Sequence, residues 1–331
     1  MLAGYHAGED PMSKTILVTG ALGQIGSELV PALRERYGRE NVIASDIRMP
    51  QLGVAVGDGP FEHLDCTKSQ QIQDILSRHN VGALFHLAAL LSAVAEDKPQ
   101  MAWHLNMDGV YQVLEAARQS CCAVFFPSSI GAFGPTTPRE NTPQDTVQRP
   151  TTMYGVTKVA AEMLCDYYFL RFGVDTRGLR LPGLISHVTP AGGGTTDYAV
   201  EIFYQAIRYH HYTCFLRPDT RLEMMYMPDA INAIINLMEA SPERLRHRNA
   251  FNITAMNFTP EELASEIRKH IPTFVIDYEV DPIRQAIADS WPLTIDDSAA
   301  HEEWNWQPSY TLESMTKNMI DVLRRKVKSA K

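Results

Sequence analysis

Lys14 to Thr19 (KTILVT) is a short β-branched, apolar run that leads straight into Gly20-Ala21-Leu22-Gly23-Gln24-Ile25-Gly26. A helical pattern follows, marked by Leu29, Leu33 and Tyr37. Strand, glycine turn and helix in this order constrain the fold more than anything else in the chain. The spacing is Gly-x-x-Gly-x-x-Gly. The first glycine makes the tight turn, the second lets backbone approach a pyrophosphate, and the third lets the helix pack close to the strand. The helix N-terminus then offers its partial positive charge to the phosphates. A strand that feeds a helix in this way begins a parallel sheet.

The rest of the N-terminal half keeps that rhythm. Asn41 to Ser45 reads as a second strand, ended by Asp46, about 20 residues past the last glycine, where an acid bonds the adenosine ribose hydroxyls. A carboxylate there repels a 2′-phosphate and so favours NAD over NADP, while Arg48, next to Ile47, leaves the choice open. As a plain turn residue, Asp46 would simply close its strand. Phe61 to Leu64 is a third strand, closed by Asp65 and Cys66, with Asp65 a candidate for the adenine amino group. Ser69 to His79 reads as a helix, and Ala83 to Leu87 as a buried strand running into Ala88-Ala89, small enough for close approach of a cofactor. Gln100 to Gln119 is a long helix with one polar interruption, Asn106, which either supports a site or packs. Ala123 to Phe126 is the fifth strand, with Pro127-Ser128-Ser129 at its C-terminal end. Residues 131–151 carry glycines and four prolines and read as loop, the wall of a site. A helix from Thr152 to Phe172 and a strand from Val174 to Leu181 complete the series.

Buried strands alternating with helices predict an α/β protein with a Rossmann-type doubly wound parallel sheet. After Pro182 the alternation loosens into a smaller C-terminal substrate-binding lobe. The expected division is a disordered extension over 1–12, a dinucleotide-binding domain over 13–182, and a lobe over 183–331 from which about 223–255 returns to the Rossmann core. In the lobe, strands are expected over Glu223–Met227 and Phe251–Thr254, a capped helix from Thr259, and a terminal helix from about Thr311 to Lys326.

Composition excludes some partners. The net charge of −9 argues against a nucleic-acid binder and against an anionic membrane surface. The longest apolar run, Ala83 to Ala95, is too short to span a bilayer. The 5 cysteines include no Cys-x-x-Cys pair, which points to reduced thiols in a cytoplasmic protein and gives no spacing for zinc. No metal is expected.

Met153-Tyr154-Gly155-Val156-Thr157-Lys158 holds a Tyr-x-x-x-Lys pair. On a helix the two side chains share one face, and an ammonium beside a phenol favours the phenolate. To act as a base near neutral pH, the tyrosine needs a downward shift of roughly three units, about 4 kcal/mol. Ser129, at the end of the fifth strand, supplies a hydroxyl that the parallel sheet brings to the same place.

Ser129, Tyr154 and Lys158, together with the glycine turn and Asp46, resemble the extended branch of the short-chain dehydrogenase/reductase superfamily over residues 14 to about 320. That resemblance implies catalytic roles for the three residues and an NAD site built from Gly20, Leu22, Gly23, Gln24, Ile25, Gly26, Asp46, Ile47, Arg48, Asp65, Cys66, Leu87, Ala88, Ala89, Asn106, Tyr154, Lys158 and Leu184. It also implies a homodimer joined as a four-helix bundle by the helices over Gln100–Gln119 and Thr152–Phe172. Within the branch, the asparagine that follows strand six in nucleotide-sugar enzymes is missing from Arg180-Leu181-Pro182-Gly183-Leu184-Ile185-Ser186. The stretches at 90–93, 127–135, 192–199 and 284–292 instead resemble the family of short-chain L-threonine 3-dehydrogenases. The implied reaction is oxidation of the threonine 3-hydroxyl by NAD to 2-amino-3-oxobutyrate. The implied substrate pocket contains Ser92, Ser129, Tyr154, Thr195, Thr196 and Trp291, with Gly192 to Gly194 as hinges for closure. Helix capping by Thr195 and Thr196, core packing by Trp291 and a turn at Ser92 are the plainer readings. Two other functions stay open: a nucleotide-sugar epimerase or dehydratase using Arg217, Arg221 and Arg284 for phosphate, and a non-catalytic NAD-binding protein.

Overall fold

The structure is a computed structural model that describes residues 11–50, 56, 58–190 and 192–329, the last three by backbone alone. The expected extension therefore falls mostly outside the described residues. Its described part is ordered: Pro11–Ser13 form a 3-10 turn, and Met12 is buried in the core.

The chain runs through β1 (Thr15–Thr19), α1 (Gly26–Tyr37), β2 (Val42–Asp46), β3 (Phe61–His63), α2 (Ser69–His79), β4 (Val81–His86), α3 (Ser92–Asp97), α4 (Pro99–Trp103), α5 (Gly109–Ser120), β5 (Ala123–Ser129), α6 (Met153–Phe172) and β6 (Thr176–Leu181). Beyond it lie β7 (Gly183–Ile185), α7 (Tyr198–Tyr209), β8 (His211–Cys214), β9 (Leu222–Tyr226), α8 (Met227–Glu239), β10 (Phe251–Asn252), β11 (Met256–Phe258), α9 (Pro260–His270), β12 (Val275–Tyr278), α10 (Pro282–Asp289), α11 (Ser298–Trp304) and α12 (Leu312–Ser329).

Seven strands form one sheet in the order β10-β6-β5-β4-β1-β2-β3, and every pair in it is parallel. One face is covered by Leu29 and Leu33 of α1, Ile231 and Ile234 of α8, and Trp304 of α11. The other is covered by Ile72 and Ile75 of α2, Val113 and Leu114 of α5, and Ala161 and Cys165 of α6. This is the doubly wound arrangement, and its strand order reverses beside β1, which opens a crevice at the strand C-termini.

The lobe differs from expectation in its details. β9 pairs with β7 and β11 in a three-stranded sheet rather than with the main one, while Met225 of β9, α8, Leu245, β10 and Ile253 all pack into the core on the large sheet. Pro182 interrupts the chain between β6 and β7 and ends the main sheet there. β12 and β8 form a parallel pair of their own. Elements this short give little period for a sequence to show. The long helix of 100–119 also departs from its expected form: α4 and α5 are joined by a π turn at His104–Asp108, which carries Asn106.

Candidate active site

Three glycines open the site for three distinct reasons. Gly20 has φ +67, and a Cβ there would lie 2.7 Å from the Ala88 nitrogen. A Cβ on Gly26 would lie 2.6 Å from both Ala21 Cα and the Gly20 oxygen, so this glycine is needed for the helix to pack. Gly23 meets only the Gly20 oxygen, at 3.1 Å, and otherwise faces open space. The Gln24 side-chain nitrogen lies buried here without a hydrogen-bond partner.

A cleft with about 1100 Å³ of open space runs from this turn into the lobe. Gly20, Gly23, Gln24, Ile25, Gly26, Leu87, Ala89, Ser92, Ser129, Tyr154, Lys158, Leu184, Thr195, Thr196 and Trp291, all expected from the sequence, line it. Leu91, Ser128, Ile130 and Asp197, which no motif marks, line it too, as does Gly194 of the expected hinge. Leu22, Asp46, Ile47, Arg48, Asp65, Cys66, Ala88 and Asn106 stand behind or beyond the lining. Asp46 accepts from the Leu22 amide at 3.1 Å and from Arg48 at 3.0 and 3.2 Å. Burial raises its carboxyl, but these hydrogen bonds outweigh that and leave it below the usual range. Ile47 is exposed, and its carbonyl meets His63. Asp65 accepts from both the amide and the hydroxyl of Thr67, and Cys66 is buried against Gly109. Asn106 accepts from the Leu90 amide and donates to the Leu90 carbonyl and the Thr157 hydroxyl, tying the cleft loop to α6.

The end of the cleft that holds Ser129, Tyr154 and Lys158 forms where β5 outruns β4. Their last pair is Phe85 with Phe125, while β5 continues to Ser129 against β6 alone. Pro127 therefore stands where no β4 partner needs its missing N–H, and its carbonyl accepts from Lys158 Nζ at 2.6 Å. Thr152 caps α6 by accepting from the Gly155 amide, and Glu96 accepts from the Met153 amide at 2.6 Å. Gly131 lies against the Tyr154 ring, where a Cβ would approach to 3.2 Å. The Ser129 hydroxyl faces the Tyr154 phenol and accepts from the Gly131 amide.

Burial dominates the electrostatics of the pair. Burial pushes the Tyr154 phenol up to about 12, and only the Ser129 hydroxyl opposes it. Burial also pulls Lys158 down to about 8. The protein's own atoms thus do not depress the phenol, because both members of the pair are desolvated. His86 is buried beside them, its Nδ1 2.9 Å from the Thr19 hydroxyl, and burial and then Lys158 pull it down to about 3.

Thr195 is buried, and its hydroxyl has no partner. Asp197 accepts from the Gly193 and Gly194 amides at 2.6 Å each and so folds the glycine segment onto the start of α7. Trp291 packs in the lobe core and also lines the cleft. The arginines considered for a sugar phosphate are engaged elsewhere: Arg217 with Asp289, Arg221 with Glu262, and Arg284 with Asp281 and over the Phe215 ring. None of the three lines the cleft.

The seven-stranded sheet, the glycine turn at its switch point and the Ser-Tyr-Lys group define an NAD-dependent enzyme of the extended short-chain dehydrogenase/reductase class. Residues 16–254 match the NAD dependent epimerase/dehydratase family, and the chain belongs to it. A Staphylococcus haemolyticus protein described as an uncharacterized epimerase/dehydratase is 55% identical over 311 residues, 94% of this chain and 98% of its own. The crystal structure of L-threonine dehydrogenase from Clostridium difficile is 56% identical with a TM-score of 0.93, over 95% of this chain and 98% of that one. The holo form of a GalE-like L-threonine dehydrogenase from Cupriavidus necator is 51% identical with a TM-score of 0.90, over 93% and 99% of the two chains. A monomeric L-threonine 3-dehydrogenase from a metagenome is 44% identical with a TM-score of 0.91, over 94% and 99%. Among the described residues no helix is long and apolar enough to cross a membrane.

Proposed function

We propose that this enzyme oxidises L-threonine at its 3-hydroxyl, giving 2-amino-3-oxobutyrate. The observation that carries this reading is the convergence of Ser129, Tyr154 and Lys158 with the unpartnered hydroxyl of Thr195 in one cleft. Thr196, Ser92 and Trp291 line the same cleft, hydroxyl and indole donors suited to a zwitterion's carboxylate. The likeness to L-threonine dehydrogenases supports the same substrate. The pairing of Arg217, Arg221 and Arg284 with acids weighs against a nucleotide sugar.

Gly23 and the Gln24 amide would hold the pyrophosphate, Asp46 the adenosine ribose and Lys158 the nicotinamide ribose. NAD, when bound, accepts the hydride and brings a cationic ring that favours the phenolate. Ser129 holds the substrate oxygen, and Tyr154 Oη takes its proton as the C–H bond breaks. Lys158 shares in stabilising the phenolate.

NADH formation measured across L-threonine, its diastereomers, simple secondary alcohols and nucleotide sugars tests the substrate. Turnover with a nucleotide sugar and none with L-threonine would refute the reading. Tyr154→Phe is expected to keep NAD binding by fluorescence and to lose roughly 100-fold or more of kcat.

The enzyme is further proposed to act as a homodimer. Tyr111 on α5 and Met163, Tyr167, Leu170 and Phe172 on α6 leave large apolar surfaces exposed, with Trp103 close by on α4. These match the helices expected to pair as a four-helix bundle. All five cysteines are free thiols, which fits a cytoplasmic enzyme.

A further inference from the structure

Tyr154, Lys158 and Glu162 follow one another at four-residue steps along α6, so they share a face. Each engages a different residue at the end of β5. Tyr154 meets the Ser129 hydroxyl, Lys158 donates to the Pro127 carbonyl, and Glu162 accepts from the Ser128 hydroxyl. Glu162 is held from behind by Arg180 of β6, with Nη2 to Oε2 at 3.0 Å and Nε to Oε1 at 3.2 Å. Arg180 Nη1 also donates to the Gln144 carbonyl at 2.7 Å and to Asn252 at 3.0 Å, and Gln148 donates to Glu162 at 2.8 Å. The carboxylate and the guanidinium are 5% and 7% exposed. A buried ion pair contributes little net stability over apolar packing, so stability alone does not account for this one. Its position accounts for it better: it ends on the serine next to Ser129 and one helical turn below Lys158.

We propose that Glu162 is a positioning residue of the hydride-transfer site. Through Ser128 it pins the strand end that carries Ser129, and its charge holds the neighbouring Lys158 in the ammonium form. The groups facing Lys158 are Tyr154, Glu162 and Cys165 from its own helix and His86 from β4. Glu96 of α3 and Glu115 of α5 also meet α6, but at Met153 and Tyr168, each more than one turn away. Glu162 is therefore the acid beside the ammonium, and it opposes the burial that draws Lys158 down to about 8. Loss of that charge releases the proton at lower pH and removes the ammonium that supports the phenolate.

The test has an arm that does not depend on substrate. In lysine-labelled protein, carbon NMR follows the Lys158 signal, assigned by its loss in Lys158→Arg. In Glu162→Gln it is expected to titrate about one pH unit lower than in the parent. The second arm rests on the dehydrogenase reading: kcat with L-threonine falls about tenfold at neutral pH, the alkaline limb of its pH profile moves to lower pH, and KM for NAD changes less than about twofold. Ser128→Ala leaves the ion pair intact, so it should lower kcat without moving the Lys158 titration, and it decides the case if Glu162→Gln does not fold. An unmoved Lys158 titration in Glu162→Gln, or an unchanged kcat in Ser128→Ala, overturns the proposal. A parent inactive on L-threonine but with the NMR shift intact overturns the substrate instead.

Discussion

Single side chains here carry conflicting demands. In the proposed reaction Lys158 must be charged to serve Tyr154, yet it is buried and drawn down to about 8. His86 resolves the same conflict by staying neutral. Its folded value is about 3 against an ordinary 6.5. Between those values the unfolded chain binds a proton that the folded state refuses, so stability rises with pH and is lost as pH falls through that window. The full loss is about 5 kcal/mol. Chemical denaturation from pH 7 down to pH 4, by about half a unit per step, should show this limb, and His86→Gln should flatten it. An equally steep limb in the variant would assign the acid sensitivity to other groups. Backbone conformation sets a second demand. Gly20→Ala puts a Cβ 2.7 Å from the Ala88 nitrogen at φ +67, so a loss of several kcal/mol and of NAD binding is expected from thermal melts and titration. Both the glycine spacing and the Tyr-Lys pair were legible because each is a local pattern. The charge states were not, since burial depends on chain brought in from elsewhere.

The end of β2 is proposed to set cofactor choice. Asp46 closes the strand, accepts from the Leu22 amide of the glycine turn, and holds the exposed Arg48 beside it. Asp46→Ala removes the repulsion of a 2′-phosphate and frees Arg48 to meet one. The ratio of kcat/KM for NADP to that for NAD should rise by about tenfold or more. An unchanged ratio would mean that Asp46 does not face the adenosine ribose. Asp46 was readable from its distance to the glycines, whereas its grip on Arg48 was not. α6 teaches the same lesson on a larger scale. Its start, its end and its Tyr-Lys face followed from sequence, but Glu162 gained meaning only when β5 and β6 were seen against it. The π turn at Asn106 was invisible in the periodicity, because one extra residue in a turn leaves a helical pattern almost intact.

For the whole molecule, the exposed apolar face of α5 and α6 bears on assembly. The apolar face of α5 and α6 should be covered in a dimer, and analytical ultracentrifugation should return twice the chain mass. Leu170→Glu places a charge in the middle of that face and should give a monomer whose fold, by circular dichroism, is intact. A monomeric parent would instead align this chain with its monomeric metagenomic relative. The lobe and the sheet meet at the cleft, so the residues proposed to hold substrate come from both: Ser92 at the start of α3 and Ser129 at the end of β5 on the sheet side, Thr195, Thr196 and Trp291 from the lobe.

By itself the sequence determined the parallel sheet, the glycine turn, the acid after β2 and the Ser-Tyr-Lys group. Each is written in spacings of a few residues or in the alternation of buried strands and helices, which chain geometry converts directly into position. Tertiary structure alone decided that β9 leaves the main sheet, that Arg217, Arg221 and Arg284 turn to acids rather than to the cleft, and that Tyr154 is raised rather than lowered. These outcomes depend on which distant segments exclude water and supply partners at a given point, and no local spacing encodes that.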